Sequence, residues 1–296
     1  LRWAPFSRWA ALAIALYPMS VVLRSSASTD AILLPLVFAF VAGILRARDV
    51  RQLPSLPVVV TLVTFAFLMA AGRPPYAVFG LAALFIPATR RTVLRTVAFD
   101  FGVLSGAAAG LAASFAWTVN LPSSPTSTDL TFDGPARLQH LLGSPVDFLF
   151  RMWHHAVAYG PEYAREMVGK LGWLDHPLPI WLTSAIAIGT VLIAVADGPS
   201  IDRIGLGTRL WIAFICCSVV AGLVFALHIG TPIEAGFLSG LQGRYIIPAL
   251  WPFLVILGLG FGERRRETIS VPYVAVGLIA LGLLGAVATT VGYYTG

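Results

Sequence analysis

Charge is what this chain has least of. Asp, Glu, Lys and Arg together make up 11% of its 296 residues, against about 25% in soluble domains. Lysine is almost missing, since Lys170 is the only one beside nineteen arginines. With 57% hydrophobic residues and a mean hydropathy of +0.82, a water-soluble globule is excluded. Cysteine is scarce too. Cys216 and Cys217 are adjacent within an apolar run, and vicinal cysteines rarely bridge, so they read as packing residues and carry no message about redox compartment. There is no Walker loop, Rossmann fingerprint, GxSxG or HExxH, which removes a soluble-type nucleotide site and the standard zinc-hydrolase helix. Nothing resembles a cleavable signal, and the chain opens on Leu1 with Arg2 and Arg8 ahead of the first apolar run. The expectation is a fragment whose N-terminal part is missing.

What is present is a succession of apolar runs, several of them long enough to cross about 30 Å of hydrocarbon. Nine are expected, at about 9–23, 30–45, 57–71, 76–88, 97–118, 178–196, 209–228, 246–262 and 271–292. The expected fold is an all-α polytopic transmembrane helix bundle. It divides into helices 1–5 over residues 1–118, an extracytoplasmic loop over 119–177, and helices 6–9 over 178–296. Thirteen of the twenty basic residues fall in one alternating set of loops: Arg2 and Arg8, Arg46 to Arg51, Arg90 to Arg95, Arg203 and Arg209, and Arg264 to Arg266. The positive-inside rule puts that set in the cytoplasm, with the N-terminus inside and the C-terminus outside. The net charge of +6 is thus a matter of topology, and no nucleic-acid partner is implied.

The long loop opens with an irregular Ser/Thr/Pro stretch, Leu121 to Thr131. Ser144-Pro145-Val146-Asp147 then reads as a helix start, with a capping serine, proline in the first turn and a carboxylate behind it. That helix is expected to run to about Tyr159, and Gly160-Pro161-Glu162 to end it and begin a second one reaching Leu171. Both are amphipathic and aromatic-rich, so they are expected to lie along the outer membrane surface, a small soluble cap being the alternative. Gly102, Gly106 and Gly110 repeat every fourth residue and offer a smooth stripe for close helix packing.

Three polar groups stand at expected outer helix ends. Asp30 follows Ser28-Thr29 and is either a helix cap or a site carboxylate that orients a cation. Arg73, in Gly72-Arg73-Pro74-Pro75-Tyr76, is a snorkelling end residue or Asp30's partner. Arg244 is the only cation between Arg209 and Arg264. It sits in Leu241-Gln242-Gly243-Arg244-Tyr245 behind a glycine-rich loop, where backbone can approach a ligand. A planar guanidinium suits a phosphate because it donates two parallel hydrogen bonds. The histidines show no metal-ligand spacing, since His154 and His155 point roughly 100° apart on a helix. No cofactor is expected from the protein side, and a divalent cation stays unassigned. The loop carboxylates Asp129, Asp133, Asp147, Glu162, Glu166 and Asp175 read mostly as solvated surface groups.

The stretch Gly240-Leu241-Gln242-Gly243-Arg244-Tyr245-Ile246-Ile247-Pro248 resembles the GxQGRYxLP signature of a bacterial polytopic family of unknown function (domain of unknown function 2142), found in polysaccharide gene clusters. Tyr17-Pro18-Met19 with Ser28-Thr29-Asp30-Ala31, Gly72-Arg73-Pro74-Pro75-Tyr76, and Gly172-Trp173-Leu174-Asp175 with Pro177-Leu178-Pro179 resemble further segments of it in the same order. That family is similar to GT-C glycosyltransferases, integral membrane enzymes that take sugars from polyprenyl-phosphate carriers. The resemblance implies a transferase of cell-envelope polysaccharide synthesis in the bacterial plasma membrane, with membrane lipid, a polyprenyl-phosphate sugar and a saccharide acceptor as partners. It implies Arg244, Arg73, Tyr245, Gln242 and Tyr76 at the substrate, Asp30 as a supporting carboxylate, and a catalytic base on an acidic loop upstream of these residues. Arg73 departs from the family's lysine, keeping the charge but not its geometry. A lipid-linked saccharide flippase and a non-catalytic scaffold of an assembly complex are the rival readings.

Overall fold

The computed structural model describes residues 7–26, 28–50, 54–85, 93–120, 134–171, 176–199, 204–231, 238, 240–258 and 271–295. It is helical throughout, apart from one two-residue hairpin. Five described helices are long and apolar enough to cross a membrane: Thr29–Ala47, Val93–Trp117, Ile180–Asp197, Leu206–Ile229 and Val271–Tyr293. Two shorter apolar helices accompany them, Leu56–Gly72 and Pro74–Leu84. The chain is a multi-pass helical membrane protein.

The expected run at 9–23 is two helices, α1 (Arg8–Ala15) and α2 (Pro18–Ser25). Pro18 has no N–H for the ladder and opens a new helix at its first turn. The carbonyls released by the break find other donors, the Ser20 hydroxyl donating to Ile14 O at 2.7 Å and the Arg24 guanidinium to Ala15 O. Helix α3 (Thr29–Val50) passes through Pro35 and is the most enclosed span, 61% of its apolar window being buried. Helix α4 (Leu56–Gly72) returns beside it. The fourth expected segment is a 3-10 helix, Pro74–Phe85. At about 2.0 Å of rise per residue, it reaches further than α-helix of equal length.

Helix α5 (Val93–Asn120) packs on α4 through the glycine stripe. A Cβ on Gly102 would meet Val63 Cγ2 at an ordinary 3.5 Å, one on Gly106 would stand 2.8 Å from Val63 O, and one on Gly110 would collide with Phe67 O. The two backbones therefore converge along the stripe. Helices α6 (Gly134–Gly143) and α7 (Pro145–Gly169) follow.

Helix α7 begins where expected, with Pro145 in its first turn and Asp147 behind it, but the Ser144 hydroxyl makes no capping bond. It does not stop at Gly160-Pro161 as expected; one helix runs through. Pro161 is exposed, and so is Val157, the residue whose carbonyl it frees one turn earlier. Strands β1 (Lys170–Leu171) and β2 (His176–Pro177) form an antiparallel hairpin, which the sequence pattern does not announce. The Gly-Trp-Leu-Asp run between the two strands, 172–175, and the 121–131 stretch lie outside the described residues.

Helices α8 (Ile180–Asp197) and α9 (Leu206–Ile229) come next, then a 3-10 turn Gly243–Ile246 leading into α10 (Ile247–Val255). Of the expected segment 246–262, residues 259–262 lie outside the described residues, and the described part holds a nine-residue helix, within which Pro252 removes a ladder bond. Helix α11 (Val271–Thr295) lies at the rim, only 11% of its window being buried. Phe101, Phe115, Trp117 and Tyr273 are more than half exposed, as lipid-facing side chains of a membrane bundle are.

One end of the bundle is tied by backbone acceptors. Arg209 donates to Ile204 O at 3.1 Å, to Pro199 O at 2.7 Å and to Ile256 O. Asp197 Oδ2 accepts the Trp9 N–H at 2.8 Å, which places a carboxylate at the N-terminus of α1. Arg90, Arg91, Arg203 and Arg264 to Arg266 lie outside the described residues.

Candidate functional site

The opposite end gathers the polar groups singled out in the sequence. Thr29 starts α3 and puts Asp30 in its first turn. Gly72 ends α4 against Leu33 of α3, where a Cβ would stand 2.9 Å from Leu33 Cδ2. That approach delivers Arg73, the first non-helical residue, to Asp30. Arg73 Nη2 lies 2.7 Å from Asp30 Oδ1, and the two side chains are 15% and 11% exposed. Arg244 Nε lies 3.9 Å from the other carboxylate oxygen, Oδ2. One carboxylate therefore faces two guanidiniums, and the trio has a net charge of +1.

The aromatic residues fix that arrangement. Tyr76 is buried and donates its hydroxyl to the Tyr245 carbonyl at 2.7 Å, joining the Arg73 and Arg244 segments. The Tyr245 ring lies under the Arg73 guanidinium at 3.9 Å and 5.5 Å from that of Arg244, a cation–π geometry. Arg73 is thus held edge-on by Asp30 and face-on by Tyr245. Gln242 supplies the carbonyl that receives the Tyr245 N–H at 3.0 Å. Its own Oε1 is buried without a hydrogen-bond partner, as are Arg73 Nη1 and Arg244 Nε. Leaving such groups without a hydrogen bond costs about 1–3 kcal/mol each, so the Arg73 Nη1 and Arg244 Nε donors are chemically available to an anion.

The residue that the sequence reading passed over is Glu166. It was grouped with the solvated carboxylates, yet it is only 6% exposed. Its Oε2 accepts the Gly243 N–H at 2.6 Å, one residue before Arg244, and its Oε1 is 4.0 Å from Lys170 Nζ. The contact is close because position 243 has no side chain, and a Cβ there would strike Tyr163 O and Glu166 Cβ. The signal in the sequence was the Glu162–Glu166–Lys170 spacing of four, one helical face that α7 turns toward the arginine turn. Replacing Glu166 with alanine is expected to lower the melting temperature and reduce occupancy of the arginine site, while Glu166→Gln keeps an acceptor and stays near the parent; thermal unfolding in detergent separates them.

Farther along α7, His155 Nε2 and Tyr163 Oη are 2.6 Å apart. Burial lowers the His155 pKa, while Tyr163 is pushed up to about 12 by burial, then by Glu166 and Tyr159. The hydrogen bond from Lys170 lowers the Glu162 pKa. His155 binds a proton more readily once α7 is undocked, so its contribution to docking is present at neutral pH and is lost as pH falls. His155 is expected to weaken the docking below about 6.5, its ordinary value. Amide exchange in α7 at pH 7.5 and pH 5.5 checks this, with His155→Gln removing the difference.

The loop carboxylates Asp129, Asp133 and Asp175 lie outside the described residues, and Asp147 pairs instead with Arg151 at 2.7 Å on the exposed face of α7. Among the described residues, no group of three or more His, Cys, Asp or Glu is placed to hold a metal ion.

A family model described as Predicted membrane protein (DUF2142) matches residues 1–257, most of the chain. The chain belongs to that family. The matched span contains Asp30, Arg73, Tyr76, Gln242, Arg244 and Tyr245, so the whole polar cluster lies within the family region. Helix α11 follows it. Comparisons with curated proteins and with solved structures returned no match.

Proposed function

We propose that this DUF2142 protein is a GT-C-like glycosyltransferase of cell-envelope polysaccharide assembly in the bacterial plasma membrane, and that Arg73 and Arg244 hold the phosphate of its polyprenyl-phosphate sugar donor. The arginine balance of the loops orients that end outward. The observation that carries the reading is the pair of guanidiniums on one carboxylate, net positive, with Arg73 Nη1 and Arg244 Nε buried and making no hydrogen bond.

In such a reaction an acceptor hydroxyl oxygen bonds to the anomeric carbon and the carbon–oxygen bond to phosphate breaks. The electron pair leaves on the phosphate, whose growing charge the two guanidiniums stabilise at the moment it forms. The hydroxyl proton passes to a general base. Asp30 is not assigned that task, because its two oxygens face Arg73 at 2.7 Å and Arg244 at 3.9 Å; it positions the cations. Asp100 Oδ1, buried without a partner within α5, favours a second reading. In that reading a lipid-linked saccharide transporter uses the same clamp without chemistry.

Transfer of labelled sugar from a polyprenyl-phosphate donor to acceptor glycan, in proteoliposomes, decides between them. Arg244→Ala is expected to slow transfer about 100-fold or more, with Arg244→Lys in between because it keeps charge without the fork. Transfer by Arg244→Ala at the parent rate overturns the clamp. Movement of the lipid-linked sugar without transfer supports the transporter.

A further inference from the structure

Beside the arginine turn, α7 stands away from α9 and α10 and leaves a cleft of ≈ 470 Å³. That is a volume typical of small-molecule sites. Its walls are apolar: Met152 and Met167 from α7, Val220 and Val224 from α9, Leu250 and Phe253 from α10. The two polar side chains among them, His155 and Tyr163, bond to each other, so a purely hydrocarbon guest leaves that pair satisfied. Methionine side chains adapt to guests of irregular shape.

The cleft borders the segment that carries Arg244. Leu241 and Ile246, which line it, bracket Gln242, Gly243, Arg244 and Tyr245. Ile246 is two residues from Arg244, so their Cα atoms are within about 7 Å. A positively charged end with buried N–H groups that make no hydrogen bond thus adjoins an apolar trough, and that combination fits an amphiphile with an anionic head. The outer face of α7 carries a second stripe, Val146, Leu149, Phe150, Trp153 and Val157, each more than half exposed. A helix apolar on both sides lies between lipid and cleft.

We propose that this cleft seats the hydrocarbon chain of a lipid phosphate, with α7 as its outer wall. The proposal rests on Arg73 and Arg244 being the phosphate site, and it adds where the chain lies. Ala156 on α7 and Ala221 on α9 line the cleft and are exposed, so tryptophan at either fills space without displacing core.

The test titrates farnesyl phosphate and inorganic phosphate against the purified full chain in nanodiscs. Parent, Ala221→Trp, Ala156→Trp and Arg244→Ala are compared, with thermal unfolding as the folding control. Ala221→Trp and Ala156→Trp are each expected to weaken farnesyl phosphate by at least about tenfold, the loss of a few buried methylenes, and to leave inorganic phosphate unchanged. Arg244→Ala is expected to weaken both ligands. Farnesyl phosphate binding as tightly to both tryptophan variants as to the parent assigns the cleft to a bilayer lipid and overturns the inference, while the arginine reading stands. An unchanged affinity of Arg244→Ala for both ligands removes the arginine reading itself.

Discussion

Asp30→Asn is expected to destabilise the protein by about 3–5 kcal/mol, the usual penalty for breaking a buried ion pair from one side. The carboxylate is the shared counter-charge of Arg73, at 2.7 Å, and of Arg244, at 3.9 Å, and all three side chains are at least 85% buried. Asparagine keeps the shape and removes the charge, leaving two guanidiniums without a counter-charge beside the rings of Tyr245 and Tyr76. The effect belongs to the uncompensated charge rather than to a lost contact. Asp30→Asn combined with Arg73→Met is therefore expected to be more stable than Asp30→Asn alone, despite carrying one more substitution. Thermal unfolding of the four members of that cycle in detergent reads the coupling directly. A double variant no more stable than the single one would mean that Asp30 holds the helix end and not the cations.

The second large effect is a graded one along α5. Gly110→Ala puts a methyl group into the Phe67 carbonyl oxygen, which as helix backbone cannot turn aside. Overpacking of this kind costs about 1–3 kcal/mol or more, and the α4–α5 seam is the most extensive helix pair in the bundle. Gly106→Ala, with its Cβ 2.8 Å from Val63 O, is expected to be intermediate. Gly102→Ala, at 3.5 Å from a side-chain methyl, is expected to match the parent. Melting temperatures falling in the order Gly102, Gly106, Gly110 confirm a tight seam. Equal values for the three would mean that the helices can separate without loss.

These features differ in how far they could be read from sequence. The glycine stripe is visible because a four-residue period of the smallest residue has one strong physical use in a membrane. Arg244 is visible because a single cation in a long apolar stretch must be accounted for, and Gly243 and Tyr245 beside it have roles that the structure makes specific. Gly243 admits the backbone of α7, and Tyr245 stacks on Arg73 instead of on its chain neighbour alone.

Glu166 is invisible for the converse reason. On an amphipathic helix a carboxylate one turn from a lysine reads as solvated surface, and only the tertiary approach of Gly243 turns that face inward. Pro18 and Pro161 show the same limit. Pro18 breaks its helix because Ser20 and Arg24 stand ready to take the released carbonyls. Pro161 does not, and it lies with Val157, whose carbonyl it frees, on an exposed face of α7. Proline alone does not say which will happen; the surrounding acceptors and donors decide.

Helix count is a further case. Hydropathy marks where apolar chain lies, but a bilayer span depends on rise per residue. Pro74–Phe85 as 3-10 helix and Ile247–Val255 as a short helix behind an arginine turn break the equation of one apolar run with one α-helical span. Both irregular pieces sit next to the polar cluster. Arg73 immediately precedes the first, and Arg244 lies in the 3-10 turn that enters the second, so the departures from regular helix are what bring the two cations together.

The most direct test of the central claim is a cryo-electron microscopy map of the full chain in nanodiscs with a polyprenyl-phosphate ligand. Phosphate density within hydrogen-bond distance of Arg73 Nη1 and Arg244 Nε, with the Asp30–Arg73 pair intact, is the expected result. Phosphate density elsewhere on the protein, with those two donors facing only protein, would contradict it.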